Sequence, residues 1–387
     1  MTNSQIKKER LISLDGLRGF LIILMAIDHA SWFISKIHPL EFWGISLPQY
    51  DSVLAFLTRF ITHPCAPGFI FLMGTSMMLF AESRRRIGWS EGRITRYFVI
   101  RGFLLLVIQQ FIVNPAWYLG ILGANPDVLQ KGIWPGGGDS VVFQFEVLFS
   151  IGTSMIICSL LLRVRKLILF IVSFGAICAT QLLIPDSNNV DVLYSPLLRV
   201  LFIPGQTDVF LVEYPLLPWI GLAGLGLIFG KELLQDKERA FRGFFIIGIV
   251  LLLVFTLIRI FGGFGNFHPP IDNSWISFLN VTKYPPSLAF IFLTLGLFFL
   301  LLYLFFRFEK VLTKWGNPLV VFGQAPFFFY IIHLYIFALI GLAFPNGTNL
   351  FLMYPFWAVV LLLLFPLCRL YGSFKRGTVP NSVWRFF

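Results

Sequence analysis

Charge is scarce in this chain: 13% of its 387 residues are Asp, Glu, Lys or Arg, about half the share of an ordinary soluble domain. Acidic residues number 19 and histidines 5. So small a polar complement cannot coat an apolar mass of 57%, which excludes a disordered chain, a solvated solenoid and nearly every soluble enzyme fold. Cysteine is sparse too. Cys65, Cys158, Cys178 and Cys368 stand far apart inside apolar runs, with no CxxC pair and no metal-ligand spacing, so they read as soft core residues and no metal site is expected. No internal repeat is visible at the level of motifs, which disfavours a repeat-built transporter.

What remains is a chain for lipid, with a mean hydropathy of +0.81. Ten apolar stretches are each about long enough to cross a bilayer as a helix: 14–35, 54–81, 97–118, 142–162, 167–184, 214–230, 243–262, 286–306, 318–343 and 350–371. The expected fold is all-α, a polytopic membrane helix bundle forming one domain over 1–387. The first apolar run is too long for a cleavable signal and reads as a retained span.

The net charge of +11 would suggest nucleic acid on a soluble protein, but here the cations sit in short clusters between apolar runs, so the charge is topological and no nucleic-acid partner is expected. Starting inside, alternate links collect Lys7, Lys8 and Arg10; Arg84, Arg85, Arg86, Arg93, Arg96 and Arg101; Arg163, Arg165 and Lys166; Lys231, Lys237, Arg239 and Arg242; Arg307, Lys310 and Lys314; and Arg369, Lys375, Arg376 and Arg385. That is 23 of the 30 Lys and Arg, and the positive-inside rule then puts both termini in the cytoplasm. The longer outer links, near 119–141, 185–213 and 263–285, are rich in turn formers and aromatics. Their runs 134–139 and 266–275 suit stacking on sugar rings, or anchoring in the headgroup layer. Gly221, Gly224 and Gly226 allow close helix packing, either within the bundle or in a homodimer.

An ionisable side chain at membrane depth is costly unless paired or hydrated, so each one marks a functional position. The first span carries Asp15, Arg18, Asp28 and His29, the second Arg59 and His63, the ninth His333. Asp15, Glu146 and Arg259 lie near span ends and can reach the interface. At 100° per residue Arg18 and His29 share a stripe, separated by roughly 16 Å along the axis. His29, His63 and His333 fall in one outer-middle layer, and Asp28 is the expected counter-ion of Arg59. For each histidine a hydrogen-bonded role in helix packing is the competing reading, and Asp15 with Arg18 reads first as a positioning ion pair. A His/Arg/Asp layer at this depth is also what a secondary transporter of a sugar or organic anion would carry, and that is the alternative reading.

The stretch Leu14-Asp15-Gly16-Leu17-Arg18-Gly19, followed by an apolar run ending in Asp28-His29, resembles the opening helix of the acyltransferase-three membrane acyltransferases. His29 stands where that family keeps a functional histidine. The chain is more closely similar to bacterial members of the heparan-alpha-glucosaminide N-acetyltransferase catalytic-domain family. The resemblance rests on Phe56-Leu57-Thr58-Arg59-Phe60-Ile61-Thr62-His63-Pro64-Cys65-Ala66-Pro67, Phe71-Leu72-Met73-Gly74-Thr75, Leu217-Pro218-Trp219-Ile220-Gly221, Thr282-Lys283-Tyr284-Pro285-Pro286-Ser287-Leu288, Phe322-Gly323-Gln324-Ala325-Pro326 and Phe329-Tyr330-Ile331-Ile332-His333-Leu334-Tyr335. It implies a multi-pass protein of a bacterial inner membrane. Cytoplasmic acetyl-CoA would supply the acyl group, and an amine or hydroxyl of an extracytoplasmic glycan or amino sugar would accept it.

Acyl transfer from a thioester needs a base, a stabiliser for the developing oxyanion and exclusion of water. The expected catalytic residues are His29 as base, His63 bonded to it or to the thioester oxygen, and Asp28. Arg18, Arg59, Lys283, Tyr284 and His333 are the expected substrate-binding set. An extended pantetheine arm, on the order of 15 to 20 Å, matches the Arg18-to-His29 separation, so acyl-CoA entering from the basic side would present its thioester near His29.

Overall fold

The computed structural model describes residues 11–125, 143–184, 195–206, 209–314 and 317–379. The basic residues Lys7, Lys8, Arg10 and Arg385 and the aromatic run 134–139 lie outside the described residues. Long apolar runs fold as helices because lipid offers no partner for a backbone N–H, so each must find a carbonyl in its own segment.

The first helix, α1 (Ile12–Ser35), ends where Lys36 turns left-handed with φ of 56°. A short α2 (Val53–Phe60) starts at Ser52, whose hydroxyl accepts the Ala55 N–H at 3.1 Å. It is broken from α3 (Cys65–Arg85) over residues 61–64, where Pro64 disfavours helix for the residue before it. Next, α4 (Glu91–Ile108) runs through a π-helical turn over Gln109–Val113 into α5 (Asn114–Leu122). Then come α6 (Val147–Leu161), α7 (Lys166–Leu183), the short α8 (Pro196–Phe202), α9 (Leu216–Gln235) and α10 (Lys237–Phe261). The last third holds α11 (Trp275–Leu279), α12 (Leu288–Arg307), α13 (Glu309–Leu312), α14 (Pro318–Gln324), α15 (Pro326–Gly341) and α16 (Leu350–Gly377).

Each of the ten expected spans has a helical counterpart, and among the described residues eight helical stretches, with Val53–Arg85 taken as one, are long and apolar enough to cross a membrane. The stretch expected as one span at 318–343 is instead α14 and α15, bent by 95° at Ala325 and Pro326, because Pro326 supplies no N–H to continue the ladder. Val147–Leu161 is apolar but short. Ile246, Leu253, Leu257 and Ile260 on α10, and Phe351, Leu362 and Leu370 on α16, are exposed. Such faces fit lipid and not water.

A small sheet adds to the all-α expectation. β1 (Phe143–Phe145) pairs in parallel with β3 (Phe210–Val212), which pairs antiparallel with β2 (Gly205–Gln206). These strands sit in links where turn residues and alternating aromatics replace the helical pattern.

Two glycines explain why α1 meets α14 at backbone contact. A Cβ on Gly19 would fall 1.7 Å from the Leu319 carbonyl oxygen, and one on Gly323 would fall 1.7 Å from that of Asp15. The glycines of the two motifs thus occupy a crossing that no other residue fits. Gly221 packs on the Ser173 carbonyl and Gly226 on that of Phe71, so these small residues serve the bundle and carry no argument for a second copy. Beyond the end of α1, residues 36–52 fold against 280–287. The Lys283 and Tyr284 N–H groups donate to the Glu41 carbonyl, and the Trp43 N–H to the Tyr284 carbonyl, each at 3.0 Å.

Candidate active site

Arg59, near the end of α2, is the centre of a buried ion cluster. Its Nη1 donates to Asp28 Oδ1 at 2.5 Å, while Nε and Nη2 grip Glu41 Oε1 and Oε2 at 2.7 and 2.6 Å. Arg59 is 2% exposed and Glu41 not at all, so this bidentate pair lies where charge is hardest to leave unmatched. Burial alone would raise the Glu41 carboxyl; the Arg59 guanidinium outweighs it and holds the group well below the usual carboxylate range. His63 Nε2 sits 3.4 Å from Glu41 Oε1, and its Nδ1 is buried with no hydrogen-bond partner among the described residues. His38, in the link after α1, brings Nδ1 to 3.9 Å from Asp28 Oδ1. Burial, reinforced by Arg59, lowers the His38 imidazole to about 3, so it is neutral at physiological pH.

His29 follows Asp28 and points about 100° away around the helix, into a separate contact. Its Nδ1 lies 2.6 Å from His333 Nε2, and His333 Nδ1 lies 2.9 Å from the Phe329 carbonyl oxygen one turn earlier in α15. A carbonyl can only accept, so His333 Nδ1 carries the proton and its Nε2 accepts in turn from His29 Nδ1–H. His29 Nε2 is left with its lone pair and no hydrogen-bond partner among the described residues. Trp117 and Tyr330 stand edge-on to the ring, at centroid distances of 5.4 and 6.1 Å.

Lys283 and Tyr284 close the site from the other loop. Lys283 is 4% exposed and its Nζ lies 4.8 Å from the Tyr284 ring centroid. Burial, then Arg59, lowers the Lys283 ammonium, against the pull of Asp28, Glu41 and Glu213. Tyr284 stacks on Phe42 at 5.3 Å, and burial followed by Glu213 raises its hydroxyl.

Sequence reasoning paired Asp28 with Arg59 and put His29 and His333 in one layer, and the structure brings both pairs together. It does not bring His63 onto His29: His63 turns to Glu41, because the broken helix at 61–64 carries it to the ion cluster. Arg18 is remote from this chamber. It bonds Asp15 at 3.0 Å, the Gly323 carbonyl at 3.3 Å and Ser76 Oγ at 3.1 Å, as a positioning ion pair should. Arg259, at the end of α10, turns inward onto the neighbouring link. It is 3% exposed and donates to the carbonyls of Phe278, Ser277, Asn280 and His268 and to Asn266 Oδ1 at 2.5 to 3.0 Å. One guanidinium thereby organises the link that carries Lys283. Glu146 is likewise buried.

Reasoning from spans missed Glu41, His38 and Glu213, since none lies on a membrane helix. One signal was available for the acids. Leu40-Glu41-Phe42, Phe145-Glu146-Val147 and Val212-Glu213-Tyr214 each set a lone carboxylate between large apolar neighbours, where an acid on a solvated loop would have polar ones.

A family model described as heparan-alpha-glucosaminide N-acetyltransferase, catalytic, matches residues 10–258. Among curated proteins, the human heparan-alpha-glucosaminide N-acetyltransferase is 30% identical over 145 residues, covering 36% of this chain and 20% of that protein. The mouse protein of the same name is 29% identical over 126 residues, covering 32% and 17%. The chain thus aligns with about a fifth of the length of these relatives.

Proposed function

The chain belongs to the heparan-alpha-glucosaminide N-acetyltransferase catalytic family, and from that premise we propose that it is a multi-pass membrane enzyme moving an acetyl group from cytoplasmic acetyl-CoA to an amine or hydroxyl of an extracytoplasmic saccharide. The basic ends of α3, α7, α9 and α12 face the cytoplasm in this reading, and the chamber beyond α1 faces outward. The setting is the inner membrane of a bacterium, and the whole chain acts as one domain.

The observation that carries the proposal is the free Nε2 of His29 at the end of the His333 relay. Phe329 fixes the His333 tautomer, His333 fixes that of His29, and the exposed lone pair is set to take a proton from an acceptor. Attack on the thioester carbonyl then forms an oxyanion, for which Lys283 is the available cation: Arg59 is already consumed by Asp28 and Glu41. Collapse breaks the C–S bond, and the proton held on His29 passes to the coenzyme sulfur. Asp28 acts by holding Arg59. With its Nε2 proton on Glu41, His63 presents Nδ1 as an acceptor, which suits a sugar hydroxyl and not a thioester oxygen. Tyr284 shapes the wall.

Arg18 stands at the opposite end of α1, roughly 16 Å from His29 by helical rise, the reach of a pantetheine arm. A density map of the protein with acetyl-CoA tests the arrangement. The thioester is expected beside His29, with the nucleotide end toward the basic links; a coenzyme lodged in a lipid-facing groove would overturn it.

A further inference from the structure

A cavity of about 420 Å³ opens between the ends of α3 and α9 and the short link from α6 to α7, and no described residue of α1 lines it. Five cations do, Arg85, Arg86, Arg163, Lys166 and Lys231, against one carboxylate, Glu82. Three of the cations are matched. Arg85 donates to Glu91 Oε1 and Oε2 at 2.7 and 3.0 Å, Arg86 lies 3.4 Å from Glu82, and Lys166 reaches Glu232 Oε1 at 2.5 Å. The other two have no carboxylate of their own among the described residues. Lys231 Nζ donates to the Val164 carbonyl at 2.5 Å, with Arg85 and Lys166 close enough to repel it. Arg163 is exposed and makes no ion pair or hydrogen bond among the described residues; Glu91 feels its charge only at longer range. Like charges gathered in this way repel until an anion joins them.

The apolar surroundings decide which anion fits. Met78, Leu162 and Leu234 complete the lining, and Lys166 heads a stripe of α7 that continues one and two turns into the membrane as Phe170 and Phe174. Those two rings stack at 5.7 Å and are 48% and 38% exposed, a face for hydrocarbon directly beside the cation cluster. Cations at the interface with an apolar face below them match a molecule that carries phosphate at one end and acyl chains at the other. A soluble phosphate would use only the first half of that surface.

We propose that this cavity binds the headgroup of an anionic phospholipid of the cytoplasmic leaflet, with phosphate held by Arg163 and Lys231 and an acyl chain laid along Phe170 and Phe174. Two unmatched cations suit the two phosphates of cardiolipin best. The choice of leaflet rests on the orientation given above. The binding itself does not depend on acyl transfer, since the same bundle with any other activity would hold the same lipid. The path proposed for the coenzyme follows α1 from Arg18 and leaves this cavity to the lipid.

The test is equilibrium binding of fluorescent cardiolipin and of zwitterionic phosphatidylcholine to the delipidated full-length protein in neutral detergent, in wild type, Arg163→Gln, Lys231→Gln and Lys310→Gln. Wild type should prefer cardiolipin. Either lining change should weaken cardiolipin about fivefold, the worth of one Lys or Arg against anionic lipid, and leave phosphatidylcholine unchanged. Arg163 is exposed, so its variant keeps the test open if Lys231→Gln fails to fold. Lys310 is exposed on α13 and lies outside the cavity; Lys310→Gln makes the same change in net charge and should bind cardiolipin as wild type does. An equal loss in Lys310→Gln would reduce the effect to the overall charge of this face and overturn the site, as would wild-type affinity in both lining variants. Displacement of cardiolipin from wild type by acetyl-CoA would assign the cavity to a soluble phosphate and overturn the lipid. Because lipid binding is the only readout, failure of the site leaves the acyl-transfer reading untouched, and a lack of acetyl transfer leaves the lipid site standing.

Discussion

His29 Nδ1 and His333 Nε2 lie 2.6 Å apart, joining the first helix to α15 through two imidazoles. The Phe329 carbonyl at the far end of the pair sets the direction of both protons. If His29 is the base, His29→Ala should lower kcat by about 10²- to 10⁴-fold, the range for loss of a positioned acid or base. His333 acts through His29, so His333→Ala should lower kcat with KM for both substrates unchanged. Steady-state kinetics in detergent or liposomes separates these outcomes, and a rise in KM alone would assign His333 to substrate binding.

The Arg59 cluster predicts a pH dependence of stability. Glu41 has its folded pKa held below the unfolded value of about 4.3. Its contribution is therefore fully present above that value and is lost as pH falls through it toward the folded pKa. Thermal unfolding should show stability declining below about pH 4.3 in wild type, and less steeply in Glu41→Gln. Glu41→Gln should itself be less stable by about 3 to 5 kcal/mol at neutral pH, because Arg59 is left buried with half its partners. A variant as stable as wild type at pH 7 would refute the clamp.

How much of this was legible beforehand follows from periodicity. Asp28, Arg59 and His333 lie on apolar helices, where 100° per residue and the thickness of a bilayer fix both face and depth. Glu41, His38 and Glu213 reach the same chamber from links, and a link has no period from which to read direction. The bend at Ala325 was hidden for a related reason: proline is common in membrane helices, and the residues on either side are equally apolar. The glycines in the first-helix and Gly323 motifs were visible as motifs, but their shared crossing exists only in three dimensions.

That crossing gives a prediction for assembly. Gly19→Ala or Gly323→Ala drives a methyl group into a backbone carbonyl that cannot yield. Either should abolish a monodisperse peak in size-exclusion chromatography after extraction. Gly243→Ala, with nothing within 4 Å of its Cβ, should behave as wild type. Equal behaviour of all three would mean that α1 and α14 do not cross as described.

Arg259 anchors the link bearing Lys283 with five hydrogen bonds. Arg259→Lys keeps the charge but not the planar fork. It should lower the melting temperature and raise KM for the acceptor, and Arg259→Ala should do both more severely, as several buried carbonyls lose their donor. An unchanged KM in a folded Arg259→Lys protein would separate this link from the acceptor site.

Transfer of an acetyl group across the bilayer by the His29 chamber can be observed in a closed vesicle. The purified protein is reconstituted in liposomes with glucosamine sealed inside and radiolabelled acetyl-CoA supplied outside. Wild type should give labelled N-acetylglucosamine inside the vesicles, and His29→Ala at least about a hundredfold less. Undiminished product from His29→Ala, or passage of glucosamine across the membrane without consumption of acetyl-CoA, would contradict it.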